Sequence, residues 1–274
     1  MKVGGSGLQG TAFPRLTVLY IGGIGRSGST LLDRVVGQLP GFCSLGEIRD
    51  VWRWGALLNG RCGCGAPFSD CPFWRKVGEQ AFGGWEELDT EVVVARYQTV
   101  VHHRYVPLLL HPGRSRRFDQ HVEALLEPLS KLYNAIAAVS GSRVVIDSSC
   151  APSYACLLRR LLAVDLRLVH LVRDSRGVAY SWNKRARKRD IVDRVASMPR
   201  YHPAQTALRW VTYNTLVEWL ERLGTPRLFT RYEEFMANPY AQVGRIVEFA
   251  GQELPPDAFG FIQAGKVALG PNHT

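Results

Sequence analysis

The sequence predicts an α/β fold: a single domain on a central parallel sheet flanked by helices. Three observations carry that prediction. Mostly apolar runs at residues 16–21 (LTVLYI), 143–147 (RVVID), 166–172 (LRLVHLV) and 226–230 (PRLFT) each lead through a turn into a segment with helical spacing. Runs without the polar alternation of a one-sided sheet suit strands covered on both faces, as parallel strands are. No repeat or low-complexity linker breaks the 274 residues, a length one domain can fill.

The elements follow in order. The first ten residues read as a flexible lead. The first strand ends in glycines, and residues 29–39 (STLLDRVVGQL) have helical spacing. Residues 48–140 read as a mostly helical insert. The second strand candidate leads into the Ser-rich turn of Asp147, Ser148 and Ser149, then a helix over 152–162, where Pro152 suits a first helical turn. The third leads into Arg173 and Asp174 and a helix running through Lys184, with Asp174 or Ser175 as cap. Residues 204–223 read as a long amphipathic helix, and the fourth strand candidate precedes a helix over 240–249.

Composition narrows the function classes. An apolar fraction of 46% and a charged fraction of 21% exclude a disordered, collagenous or coiled-coil chain. No run reaches the ~18 apolar residues of a membrane span, and the start, MKVGGSGLQG, has no signal-peptide core, so a cytoplasmic protein is expected. Lys and Arg number 34 against 24 Asp and Glu, a net +10 that favours an anionic partner. Five of those cations fall in the run Lys184, Arg185, Arg187, Lys188 and Arg189. No nucleic-acid reader motif or basic–aromatic interleaving accompanies that run, so nucleic acid is not the expected partner. A smaller run, Arg114, Arg116 and Arg117, reads as a solvated face.

Two motifs point to anion binding. Gly23 to Thr30 (GIGRSGST) lies between a strand and a helix with the spacing of a Walker A loop, so the domain is expected to be P-loop-like. Ser29 stands where that loop carries lysine, and the positive charge is Arg26, inside the loop. Backbone N–H groups around Gly25, Ser27 and Gly28, the start of the following helix, and the side chains of Arg26, Ser29 and Thr30 all suit an oxyanion. The second motif is Arg173 to Ser181 (RDSRGVAYS), with Arg185 four residues further on the same helical face as Ser181. Arginine is suited to bidentate phosphate contacts.

Taken together, GRSGST and VRDSRGVAYS resemble the 5′-phosphosulfate loop and the 3′-phosphate motif of sulfotransferases that use 3′-phosphoadenosine 5′-phosphosulfate (PAPS). The trio Arg173, Ser181 and Arg185 is similar in spacing to that of tyrosylprotein sulfotransferases. LGEIR at 45–49, Asp147-Ser148-Ser149 and Arg231-Tyr232-Glu233-Glu234 fall in the family's order, and bacterial members share CGCGAPFSDCPFW. The resemblance implies a PAPS donor, adenosine 3′,5′-bisphosphate as spent product, no required metal, and a small-molecule or glycan acceptor. It implies Glu47 as base, Arg26 as stabiliser of the transferring group, and Tyr232 near the adenine. Cys150 stands where many relatives carry lysine, and relatives continue beyond the position of Thr274 with a loop over the nucleotide. An ATP- and magnesium-dependent kinase with Asp147 or Asp174 as metal carboxylate is one alternative. An anion-binding module without catalysis is another.

The remaining groups read structurally. Cys62, Cys64 and Cys71 form C-x-C-x6-C, without the four-ligand pairing of a zinc site, and suggest first a tight turn with buried thiols, with a structural metal as the second reading. Cys43, Cys150 and Cys156 read as small core residues. His102 and His103 are adjacent and face apart, so no metal site is expected there. Trp52, Trp54, Trp74 and Trp85 suit either aromatic core or the wall of an acceptor pocket. The oligomeric state is not encoded in any of these patterns.

Overall fold

The computed structural model describes residues 15–184, 199–263 and 266–267. Five parallel strands form the sheet in the order β2-β3-β1-β4-β5. They are β1 (Leu16–Gly22), β2 (Phe42–Ser44), β3 (Val144–Cys150), β4 (Val164–Val172) and β5 (Arg227–Arg231). Helix α1 (Ser29–Val36) follows β1. Between β2 and β3 the chain is mostly helical: a 3-10 turn at Ile48–Asp50, a π-helical stretch at Val51–Leu57, and α2 (Pro72–Phe82), α3 (Thr90–Val100), α4 (Val106–Leu110) and α5 (Arg116–Ser140). Helix α6 (Pro152–Leu158) follows β3, and α7 (Ser175–Asn183) and α8 (Pro203–Arg222) lie between β4 and β5. Helices α9 (Tyr232–Ala237) and α10 (Pro239–Phe249) complete the fold, with a short antiparallel pair, Ile262–Gln263 and Lys266–Val267, after them.

Alternation along the strands makes two cores. Val18 and Tyr20 of β1, Val145 of β3 and Leu168 of β4 face the larger one, with α2 to α6 and α8. Leu19 and Ile21, Val144 and Ile146, and Val169 and Leu171 face the other, with α1, α9 and α10. Every side chain of β1 beyond Leu16 is therefore buried, which is why its sequence reads as one apolar run.

Several elements differ from the expectation. Strand β2 went unread because three residues carry no period. Ser148, Ser149 and Cys150 form the last part of β3 rather than a turn, and all three are buried. Helix α6 stops at Leu158, and Leu162 is left 83% exposed. Helix α8 is not cleanly amphipathic, since Leu208, Val211 and Trp219 are exposed. Helix α7 ends at Asn183, with Lys184 already extended. The shared helical face argued for Ser181 and Arg185 therefore stops short of Arg185, which lies outside the described residues, as do Arg187, Lys188 and Arg189.

Candidate active site

The C-terminal ends of β1, β3 and β4 converge on a cleft of about 730 Å³. In open parallel sheets this edge is where ligands bind. The glycine loop forms its floor. Gly23 has φ +132°, and a Cβ there would sit 2.5 Å from the Leu171 carbonyl oxygen, so the loop leaves β1 pressed against β4. Gly28, at φ +95°, is the left-handed N-cap of α1, and a Cβ on it would lie 2.4 Å from the Tyr232 ring. Arg26 also has positive φ, at 75°. Helix α1 then begins without a side-chain cap or an acidic residue in its first turn. Its first intrahelical donor after the cap is the Leu32 N–H, bonded to the Gly28 carbonyl at 3.0 Å. The preceding N–H groups are the orphans of a helix start, with the positive end of the dipole behind them.

Polar atoms around this loop lack partners. The buried Nε of Arg26 and the Oγ of Ser27 bond to nothing in the protein. The Arg26 guanidinium lies 5.4 Å from the Trp182 ring, and the Trp182 indole N–H donates to the Gly25 carbonyl at 3.1 Å. A loop with unpaired donors, an uncapped helix start and no nearby carboxylate in its first turn fits an oxyanion group.

The second motif lines the same cleft. Arg173 and Ser181 face it together with Gly25, Arg26, Gly28, Ser29 and Thr30. Arg173 Nη1 donates to the Arg26 carbonyl at 3.2 Å, and its guanidinium stacks 4.4 Å from the Tyr232 ring. A Cβ on Gly177 would meet the Arg173 Nε at 3.2 Å, so that glycine makes room for the arginine at the start of α7. Behind it, the Trp210 indole N–H donates to the Arg173 carbonyl at 2.9 Å. His170 lies buried on β4 with Nε2 2.9 Å from Asn214 Oδ1, which ties α8 to the sheet. Its Nδ1 faces the Arg227 guanidinium at 3.2 Å, and an N–H donor there requires the unprotonated Nδ1. Burial, first, holds the His170 pKa below its usual value.

Strand β2 delivers Glu47. Its pairing with β3 continues beyond Ser44, through the Leu45 N–H to the Ile146 carbonyl at 3.3 Å and the Ser148 N–H to the Gly46 carbonyl at 2.7 Å. Glu47 then faces the cleft, with Oε2 3.7 Å from Arg49 Nη2. Arg49 also pairs with Asp50 at 3.4 Å, and its N–H donates to Ser149 Oγ at 3.0 Å. Both side chains of the Glu47–Arg49 pair are partly exposed, so the pair contributes little to stability.

Below this lies a buried polar layer. Asp147 accepts from the Tyr133 hydroxyl at 2.5 Å and from the Ser149 N–H at 2.9 Å, and it also takes the Ser149 hydroxyl. Ser148 Oγ donates to Asp33 Oδ2 at 3.1 Å. Burial pushes the Asp33 carboxyl up to about 7 and that of Asp147 up to about 6. Asp147 does not line the cleft, and its oxygens are occupied by protein donors. Asp174 spends its carboxylate on Arg176, 2.6 Å away, and on capping α7.

Cys150 ends β3 at φ +57°, buried as a small core residue, and also borders the cleft. Burial pushes its thiol up to about 12, so it stays protonated beside Ser29. Ser27 and Tyr232 are not among the lining residues: Ser27 is buried within the loop and Tyr232 supports Gly28 and Arg173 from behind. Trp54 and Trp74 do line the cleft, whereas Trp52 is 1% exposed and packs edge-on against Trp85. The sequence reading missed Trp182, Tyr201, Arg209 and Tyr213, all of which face the cleft. Trp182 was within reach as the neighbour of Ser181; the other three come from a segment without a motif. Cys64 is exposed, unlike the buried Cys62 and Cys71 of the same turn.

Comparison with known proteins extends these observations. The family model described as "Sulfotransferase family" matches residues 19–256. No curated protein matches the chain. Among solved structures, the chain is similar to the sulfotransferase domain from the curacin biosynthetic pathway, with TM-score 0.50 and 16% identity over 90% of this chain and 77% of that one. It is also similar to the sulfotransferase domain of the Synechococcus PCC 7002 olefin synthase, with TM-score 0.50 and 20% identity over 91% of this chain and 78% of that one. At these identities the likeness is one of fold. No helix among the described residues is long and apolar enough to cross a membrane.

Proposed function

We propose, because this chain belongs to the sulfotransferase family, that it moves a sulfuryl group from PAPS to a hydroxyl or amine of a small-molecule or glycan acceptor. The observation that carries this reading is the joint lining of one cleft by the glycine loop and by Arg173 and Ser181. A nucleotide with a 5′-phosphosulfate and a 3′-phosphate presents two anionic ends, and the cleft offers a cationic group for each.

The residues divide the work as follows. Backbone N–H groups at Gly25, Ser27, Gly28, Ser29 and Thr30, with the Ser29 and Thr30 hydroxyls, hold the 5′ end at the start of α1. Arg26 brings its unpaired Nε and full charge to the transferring group and leaving phosphate oxygen. Arg173 and Ser181 hold the 3′-phosphate, with Arg185 beyond them in the chain. Tyr232 keeps Arg173 in place by stacking on its guanidinium. The donor supplies a sulfuryl group on a phosphate oxygen: that S–O bond breaks as one forms to the acceptor oxygen or nitrogen. Glu47 takes the acceptor's proton. Charge stabilisation by these groups needs no metal, and adenosine 3′,5′-bisphosphate is left.

The test is transfer of radiolabelled sulfate from PAPS across a panel of phenols, alcohols, amines and glycans, with Glu47→Gln alongside. Glu47→Gln should lose most turnover while keeping bisphosphate affinity. Full activity of that variant with a working acceptor would remove Glu47 as the base. A protein stabilised only by ATP with magnesium would remove the donor assignment.

A further inference from the structure

Cys62, Cys64 and Cys71 present their sulfurs within 4.8 Å of one another, with Cys64 and Cys71 at 3.6 Å. A tetrahedral zinc site with Zn–S bonds near 2.3 Å places its sulfurs about 3.8 Å apart, so the observed spacing needs only small side-chain rotations. We propose that this cluster is a three-thiolate site for Zn2+, with water in the fourth position, and that it fastens the aromatic wall of the cleft.

The backbone is already shaped for it. The Gly65 N–H donates to the Cys62 carbonyl and the Cys62 N–H to the Ala66 carbonyl, both at 2.8 Å, closing a tight knuckle around Cys64. Gly65 sits at φ +93° with open space around it, a conformation the turn requires and a side chain would resist. Arg61 Nη1 donates to the Gly65 carbonyl at 3.1 Å and braces the same turn from outside. Cys71 is the N-cap of α2, a position that sets its sulfur beside those of Cys62 and Cys64.

Odd number and burial select the occupant. A disulfide would satisfy two sulfurs and strand the third, whereas one cation satisfies all three. Soft thiolates favour zinc over magnesium, calcium or manganese. Cys62 and Cys71 are buried and Cys64 is exposed, so the open fourth position faces solvent. Among the described residues the group includes no His, Asp or Glu, which leaves that position to water.

The cluster is coupled to the cleft by packing. Cys62, Phe68 and Trp74 line it, Phe68 stacks on Trp74 with centroids 5.3 Å apart, and Trp85 meets Phe68 at 5.1 Å. The metal's role is to hold this wall, not to enter the transfer chemistry.

The test uses the full chain, purified under reducing conditions. After dialysis against zinc and then metal-free buffer, atomic emission should find about one zinc per chain. Cobalt substitution should give a thiolate-to-cobalt charge-transfer band, and a strong chelator should lower the Tm. Cys64→Ser, chosen because the residue is exposed, should keep the fold and weaken zinc affinity by at least roughly tenfold. Zinc-free protein that takes up no zinc when reduced would overturn the proposal. So would zinc bound equally well by Cys64→Ser, or a Cys64–Cys71 disulfide in protein alkylated on isolation and devoid of zinc.

Discussion

Replacing Arg26 by alanine separates catalysis from folding. Arg26 takes part in none of the ion pairs among the described residues, and its buried Nε is unpartnered. What it contributes to the resting fold is mainly the contact with Trp182 at 5.4 Å, worth about 0.5–1 kcal/mol for a cation over an aromatic ring at a partly exposed site. Alanine inherits the same positive φ, so backbone strain cancels between the two proteins. In the transition state the arginine faces charge developing on the sulfuryl group and leaving oxygen. Loss of one such donor costs roughly 2.7–4 kcal/mol, or about 10²–10³ in kcat. The assay is release of adenosine 3′,5′-bisphosphate from PAPS with a working acceptor, beside a urea melt. Arg26→Ala should lose about two to three orders of magnitude in kcat with less than about 1 kcal/mol in stability. Arg26→Lys should recover part of the rate, since it keeps charge without the planar fork. Unchanged kcat with an unchanged melt would refute the assignment of Arg26 to the reacting group.

Further predictions concern the fold that holds the site. Gly28→Ala places a Cβ 2.4 Å from the Tyr232 ring at φ +95°, and should cost about 1–3 kcal/mol and abolish the Tm increase given by the bisphosphate; a normal response would show that Tyr232 moves freely. The pH dependence has a definite sign. Asp33 and Asp147 hold protons in the folded chain up to about 7 and about 6, whereas the unfolded chain releases them near the ordinary 3.8. The unfolded state thus binds fewer protons across that window, and stability falls as pH rises through it. Asp33→Asn should flatten the decline in urea midpoint between pH 5 and 8, and equal slopes for both proteins would count against a buried, protonated Asp33. Glu47→Gln should lower kcat by about 10²–10⁴ without changing bisphosphate Kd; a parallel loss of affinity would indicate that Glu47 acts through Arg49 on the loop instead.

Much of this was legible in the sequence, for physical reasons. β1 and β3 are buried on both faces, and β4 along most of its length, and so read as apolar runs; β5 lies at the sheet edge with Phe229 exposed, and was marked instead by its short β-forming run. The glycine loop is marked by Gly23 and Gly28 at positive φ. β2 was invisible because Phe42–Ser44 is too short to show a period, yet its pairing with β3 sets Glu47 at the cleft. Ser148 and Ser149 read as a turn because hydroxyls rarely sit in a buried strand. Here Asp33 and Asp147 accept them, partners that are 115 and two residues away in the chain. The same holds for Arg209 and Tyr213: they reach the cleft only because α8 is tied to β4 through Asn214 and His170.

The central claim is that two cationic elements hold opposite ends of one nucleotide, and calorimetry tests it most directly. Adenosine 3′,5′-bisphosphate, adenosine 5′-monophosphate and adenosine 3′-monophosphate would each be titrated without magnesium into the parent protein, Arg26→Ala and Arg173→Ala. The bisphosphate should bind tightest to the parent. Arg173→Ala should erase its advantage over the 5′-monophosphate, and Arg26→Ala its advantage over the 3′-monophosphate, each by roughly ten- to a hundredfold. Equal affinity for all three ligands in the parent protein, or variants that leave those ratios untouched, would contradict the account.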